Sequence, residues 1–375
     1  MTKRVVLSFC LLFLFAPILH AQNVLTLPAD SLIREGIRRM YNYEQDVAQA
    51  NFSRVQELHP EHPVGYLLTG VTDWMLGRER LGIEAAQDTL LNRLNNTRSI
   101  CEKYVSDHPD DPYGWLLYGM TLGLRARADL SESDWMRAAM NGYKGIQQVK
   151  KAADLTPDLG DIQLAYGAFH YYVGMSGPFL KVGASLIGLS GTTLEGKEEL
   201  AYAAENARYG YAEAKSILMY IYGYFEDNID EALKLARELT AEFPGSPYYW
   251  TMRADLEFAS AQYVNAKKSM DKLKELLPTL SAFSRDEFEG KYLYLTGLYS
   301  HYQGNCQSAV ALLTKYLNEN ADEYDFHDIN AELIIGRCHE EMLLVQKASD
   351  QYKLVANSEL PTRMKMEAER ALNNL

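Results

Sequence analysis

Cysteine is scarce in this 375-residue chain, and its spacing excludes more than its number does. Of four cysteines, Cys10 lies in the opening segment, which leaves Cys101, Cys306 and Cys338. So sparse and odd a set builds no disulfide framework, and without a C-x-x-C pair neither a zinc knuckle nor a dithiol redox motif is expected. One bridge at most is open, between Cys306 and Cys338. Basic charge is also short: 37 Lys and Arg face 50 Asp and Glu, for a net charge of −13. Such a surface repels phosphate backbones and anionic lipid, so neither nucleic acid nor a membrane surface is the expected partner. Beyond the opening there is no long apolar run, and no stretch alternates in the manner of a half-buried strand.

Catalytic patterns are equally thin. No serine, cysteine or carboxylate stands at a recognisable spacing from a base. The segment Gly191-Thr192-Thr193-Leu194-Glu195-Gly196-Lys197 imitates a phosphate-binding loop, but Glu198 stands where a Ser or Thr would hold magnesium. Helix packing accounts for Gly196 more simply. His59 and His62 flank a turn at Pro60 and are expected to be solvated. In Cys338-His339-Glu340-Glu341, adjacent residues point different ways around a helix, so no ligand set is read there. The expectation is no enzyme, no cofactor and no metal.

The opening MTKRVVLSFCLLFLFAPILHAQ has a short basic start, an apolar core from Val5 to Leu19 and small residues at a plausible cleavage point. It reads as a secretory signal peptide over residues 1–21, which leaves no membrane span after cleavage. Gln22 at the cleavage point disfavours a lipid anchor. The expected location is outside the cytoplasm, the periplasm first, with a secreted or envelope-associated protein as the other options.

Periodicity dominates the remainder. Ala232 and Ala266 lie 34 residues apart, and so do Pro244 and Pro278. Each alanine opens an amphipathic run, EALKLARELTAEFP or NAKKSMDKLKELLP, preceded by another helical run. Two helices per 34 residues closed by proline is the tetratricopeptide period. The same logic recurs as a small residue in a first helix and another 12 positions later: Gly36 with Ala48, Gly297 with Ala309, Gly336 with Ala348. Small residues on both helices let the backbones approach. Between residues 64 and 208 the spacing widens to 27, 26 and 29, in Gly70–Thr97, Gly119–Gly145 and Gly167–Gly196. Residues 22–375 therefore read as one all-α, right-handed, tetratricopeptide-like helix-pair solenoid. It has about eight pairs, stretched over 64–208, most regular over 210–278, and closed by a polar capping helix over 362–375.

The run WMRAAMNGYKGIQQVKKAADLTPDLGDIQLAYGAFHYYVG, an apolar insertion, and then EGKEELAYAAENARYGYAEAK resemble a family of bacterial tetratricopeptide proteins. That family is similar to the eukaryotic tetratricopeptide 39 and inclusion-body-clearance proteins. The resemblance covers residues 110–280, implies an all-helical solenoid without known catalytic activity, and transfers no functional residue.

Tyrosine, 26 in number, is the conspicuous excess. Many are core spacers. In this architecture the column four residues after the small position of each first helix faces the concave side, and its aromatic part, Trp74, Tyr171, Tyr224 and Phe258, with His301, marks the candidate binding groove. Rigid rings suit peptides or sugars. The insertion at 174–196, apolar and glycine-rich, is expected to fold over Tyr171 and Tyr224 as a lid or as a permanent plug. Two functions follow. One is a non-catalytic protein-interaction scaffold for an unknown protein or peptide partner. The other is a solenoid binding a small ligand, glycan or lipid in the groove. Oligomeric state is not legible.

Overall fold

The computed structural model describes residues 26–81, 83–131, 134–175, 190–319, 325–358 and 362–375, and among these there are 17 α-helices and no strand. Eight pairs succeed one another. They are α1 (Asp30–Tyr41) with α2 (Gln45–Leu58), α3 (Pro63–Leu81) with α4 (Ile83–Asp107), α5 (Pro112–Ser131) with α6 (Trp135–Leu155), and α7 (Gly160–Met175) with α8 (Thr193–Asn206). Then come α9 (Tyr211–Tyr220) with α10 (Ile229–Glu242), α11 (Pro247–Ala259) with α12 (Tyr263–Leu276), α13 (Ala282–Tyr302) with α14 (Cys306–Glu319), and α15 (Phe326–Glu341) with α16 (Val345–Ala356). Helix α17 (Arg363–Asn374) ends the array. The all-α helix-pair solenoid expected from the period is the observed fold. No described helix is long and apolar enough to cross a membrane.

The small positions do what the spacing predicts. Gly36 lies under the ring of Phe52, Gly297 under Leu313, and Gly336 under Tyr352, each so close that a Cβ would force the neighbouring side chain to shift. Gly167 and Gly196 meet backbone to backbone, which also explains Gly196 without a phosphate. Lys197 in that segment is paired with Glu226 at 2.7 Å. The first two of the three stretched pairs are longer helices: 19, 25, 20 and 21 residues in α3 to α6, against 12 and 14 in α1 and α2 and 16 and 14 in α7 and α8. Helix α13 also reaches 21 residues. Its extension precedes Gly297, so the distance between small positions does not register it.

Among the described residues, five pairs share one turn. Tyr43, Asp227, Ala261, Gly304 and Leu343 all have positive φ, from 54° to 74°, two residues ahead of the second helix. A backbone bond from the following residue to a carbonyl five back closes four of these turns, as in Asn305 N to Ser300 O at 3.0 Å. In the α9–α10 turn the bond runs six back, from Asn228 N to Tyr222 O at 2.8 Å. The extra residue is absorbed as a π-helical turn over Ile221–Phe225, which rotates the residues after it out of α-helical register.

The solenoid also closes on itself. Arg208 makes two bonds of 2.6 and 2.7 Å to Asp30, and Tyr209 Oη donates to the same carboxylate at 2.7 Å. Gly245 N donates to Asn42 Oδ1 at 2.8 Å, and Tyr43 meets Phe288 edge-on at 5.5 Å. From the other end, Phe326 packs on Tyr224 at 5.2 Å and Arg363 Nε donates to Gly223 O at 3.2 Å. The inner face is thereby filled in its middle by tyrosines.

Candidate functional site

Between α11, α13, α15 and α17 a pocket of ≈ 440 Å³ remains. The Ala261 and Gly304 turns bring the first residue of α12, Tyr263, against the last residue of α13, Tyr302. Their rings stack with centroids 3.8 Å apart, and Phe258 lies 6.4 Å from Tyr263. Tyr302 is 45% exposed, so this aromatic wall is accessible.

The opposite wall is ionic. Arg337 pairs with Glu367, and Arg363 Nη1 donates to Glu367 Oε1 at 2.9 Å. Arg363 is only 6% exposed, and its Nη2 is buried without a partner among the described residues. Burial by itself pushes that guanidinium down, but Glu367 and Asp255 outweigh it and hold the group charged. Asp255, buried beneath, accepts from Tyr224 Oη at 2.6 Å and from Tyr294 Oη, while Asn330 Nδ2 donates to Tyr294 Oη at 2.6 Å. Burial raises both phenols well above their ordinary range, so they remain donors to the carboxylate. On the rim, His301 Nε2 and Cys306 Sγ lie 2.9 and 3.0 Å from the two oxygens of Glu341.

Of the five residues expected to line a groove, Phe258 and His301 line this pocket. Tyr171, 5% exposed, and Tyr224, 0% exposed, do not face solvent and line no open groove. Tyr224 sits in the π-helical turn and points into the Asp255 cage, and Tyr171 packs over the Gly196 backbone and beside Phe225. Trp74 belongs to a separate cluster in the N-terminal half. The lid or plug expectation concerns mainly residues 176–189, which lie outside the described residues. His62 is another correction: it is buried, accepts from Val64 N at 3.2 Å and meets Tyr104 edge-on at 4.6 Å. Its ring fills space at the α2–α3 turn that spacing alone left in water. Cys306 and Cys338 are adjacent and unbridged. Arg363, Arg337, Tyr263 and Tyr302 are not legible from spacing, because no periodic column joins a capping helix to inter-helix turns.

No protein-family model matches the sequence, and no curated protein matches it. Among solved structures, the chain is similar to the APC/C hetero-tetramer Cut9–Hcn1 (TM-score 0.52, 13% identity), covering 92% of this chain and 56% of that one. It thus spans little more than half of that relative. It is also similar to a tetratricopeptide repeat protein from Parabacteroides merdae (TM-score 0.33, 14% identity, 82% of this chain and 97% of that one). A third is the human IFIT1 dimer with PPP-AAAA (TM-score 0.40, 14% identity, 92% and 84%). At these identities the likeness concerns the fold.

Proposed function

We propose that the chain is a non-catalytic binding scaffold, exported to the bacterial cell envelope, that receives a partner protein segment in the pocket between α11, α13, α15 and α17. The observation that carries this reading is the pairing of an exposed tyrosine stack with a buried guanidinium. Stacked, rigid rings present area at low entropic cost, and such side chains dominate interface energetics. Arg363 supplies fixed positive charge for a carboxylate or backbone carbonyl of the partner. Export rests on the opening segment, and the exclusion of nucleic acid on net charge.

The pocket volume also falls within the range usual for small-molecule sites, roughly 300–1,000 Å³, and a tyrosine stack suits the face of a sugar. A glycan or other small ligand is accordingly the second reading.

A photo-crosslinking residue at position 302, compared with one at exposed Met136 in the N-terminal half, tests the first. Discrete protein adducts in envelope extract are expected at 302 and not at 136. Tyr302→Ala should weaken capture by about tenfold or more, the loss of an interface hot spot, without lowering the melting temperature. Equal adducts at both positions overturn the assignment. Small-molecule protection of 302 without protein adducts favours the second reading.

A further inference from the structure

Four side chains that the sequence scatters meet at the rim of this pocket. His301 lies in the last turn of α13 and Cys306 is the first residue of α14, and the tight turn through Gly304, at φ +74°, sets them side by side. Cys338 and Glu341 stand three residues apart, hence on one face, at the end of α15. One imidazole nitrogen of His301 and the Sγ atoms of Cys306 and Cys338 all lie within 4.8 Å of one another. The Glu341 carboxylate closes the group, 3.0 Å from Cys306 Sγ and 2.9 Å from His301 Nε2.

We propose that His301, Cys306, Cys338 and Glu341 bind one thiophilic divalent metal ion, zinc by donor type. Two sulfurs, one imidazole nitrogen and one carboxylate oxygen are each zinc ligands, and together they supply the four donors of a tetrahedral site, with a carboxylate where closed structural sites usually carry a second histidine or a third cysteine. Hard cations such as calcium and magnesium require oxygen cages and find none here. Zinc–sulfur bonds of about 2.3 Å and zinc–nitrogen bonds of about 2.0–2.1 Å place tetrahedral donors roughly 3.5 Å apart. The His301, Cys306 and Cys338 donors, at most 4.8 Å apart, thus contract by up to about one ångström while the Glu341 contacts of 2.9 and 3.0 Å lengthen by about half that, both within the reach of side-chain rotation. The carboxylate now accepts from the Cys306 thiol, and metal binding replaces that contact by releasing the protons of both thiols to solvent. The resulting two thiolates and carboxylate leave one net negative charge around a dication, and Arg337, one turn from Glu341, offsets it. Both cysteines are buried while Glu341 is half exposed, so the ion would sit at the pocket rim with its sulfur ligands inward and tie the seventh helix pair to the eighth. It would fix His301 and Glu341, both of which line the pocket. Neighbours along the single run 338–341 do not form such a group. The ligands come from two successive pairs.

The test uses the full chain, purified under reductant and freed of reductant and chelator. Titration with cobalt(II) should saturate at one ion per chain, with the intense visible bands of a tetrahedral site and thiolate-to-cobalt charge transfer. Zinc should displace it and raise the melting temperature. Cys306→Ser and His301→Ala should each weaken binding by more than the about 10–100-fold that loss of an outer-shell partner costs. Cys101→Ser, remote from the site, should leave it unchanged. If Cys338→Ser fails to fold, the first two variants decide. Any of three results overturns the proposal: no saturable stoichiometric binding, binding unaltered in Cys306→Ser, or a Cys306–Cys338 disulfide in protein isolated without reductant. Tyr302→Ala, which addresses partner capture, should leave cobalt binding intact.

Discussion

At Gly196 a methyl group would fall 2.4 Å from the backbone nitrogen of Tyr171 and 2.7 Å from the carbonyl oxygen of Gly167. Backbone cannot step aside as a side-chain tip can, so Gly196→Ala should destabilise the protein by about 1–3 kcal/mol, the usual cost of overpacking. Gly123 is the matched control. It lies within α5 with nothing within 4 Å of the place a methyl group would occupy, and helical glycine is costly relative to alanine. Gly123→Ala should therefore stabilise by roughly 0.5–1 kcal/mol. Urea denaturation of both variants reads the contrast. Two losses of equal size would show that helix approach at Gly196 is not the constraint. Both glycines stand in the stretched repeats, and spacing marks only one of them as a contact, because contact distance rather than residue type separates them.

Within the fourth pair, α7 and α8 are joined by more than their glycines. His170 Nδ1 lies 2.7 Å from Glu199 Oε2, and that hydrogen bond raises the imidazole above its ordinary range against the opposing effect of burial. A histidine raised in the folded state stabilises fully below its unfolded value, about 6.5. That contribution is lost as pH rises through the folded value. Glu199→Gln should accordingly cost about 0.5–1 kcal/mol near pH 5.5, the pair being partly solvated, and much less near pH 9. Chemical denaturation at the two pH values checks this. A cost independent of pH would mean that the pair is held by packing alone. The same element scale contains the π-helical turn after α9. One surplus residue there moves Tyr224 from the expected concave column into the Asp255 cage, where its hydroxyl is a structural donor.

In an ideal solenoid each repeat contacts only its neighbours. Here the first pair also rests on the segment leading into the fifth, through Asp30 with Arg208 and Tyr209, and on the segment leading into the sixth, through Asn42 with Gly245. Arg208 holds the Asp30 carboxyl below its usual range, chiefly through their hydrogen bond. Arg208→Ala should release the N-terminal pair at a cost of about 1 kcal/mol, since the ion pair is partly exposed. Amide exchange should then quicken in α1 and α2 and remain unchanged in α13 to α16. A uniform change, or none, would show that the closure is not held by this pair. Closure also decides what the molecule can offer a partner: it consumes the central inner face and leaves the pocket near the C-terminal end.

Helix pairs, their number and the longer helices of the second and third pairs were determined by sequence alone. They follow from local periodicity and from small residues that must meet for two adjacent helices to pack, and neither depends on distant parts of the chain. The role of Gly196 was legible for the same reason. Only the tertiary structure decided that Tyr171 and Tyr224 are interior, that Phe258 and His301 share a pocket with Arg363, and that His301, Cys306, Cys338 and Glu341 converge. These juxtapositions arise from rotations added from pair to pair. Each rotation depends on helix length, on the turn and on one surplus residue absorbed as a π turn. Small angles summed over several pairs bring Asp30 to Arg208 and Phe326 to Tyr224, and no spacing within a single repeat encodes that sum.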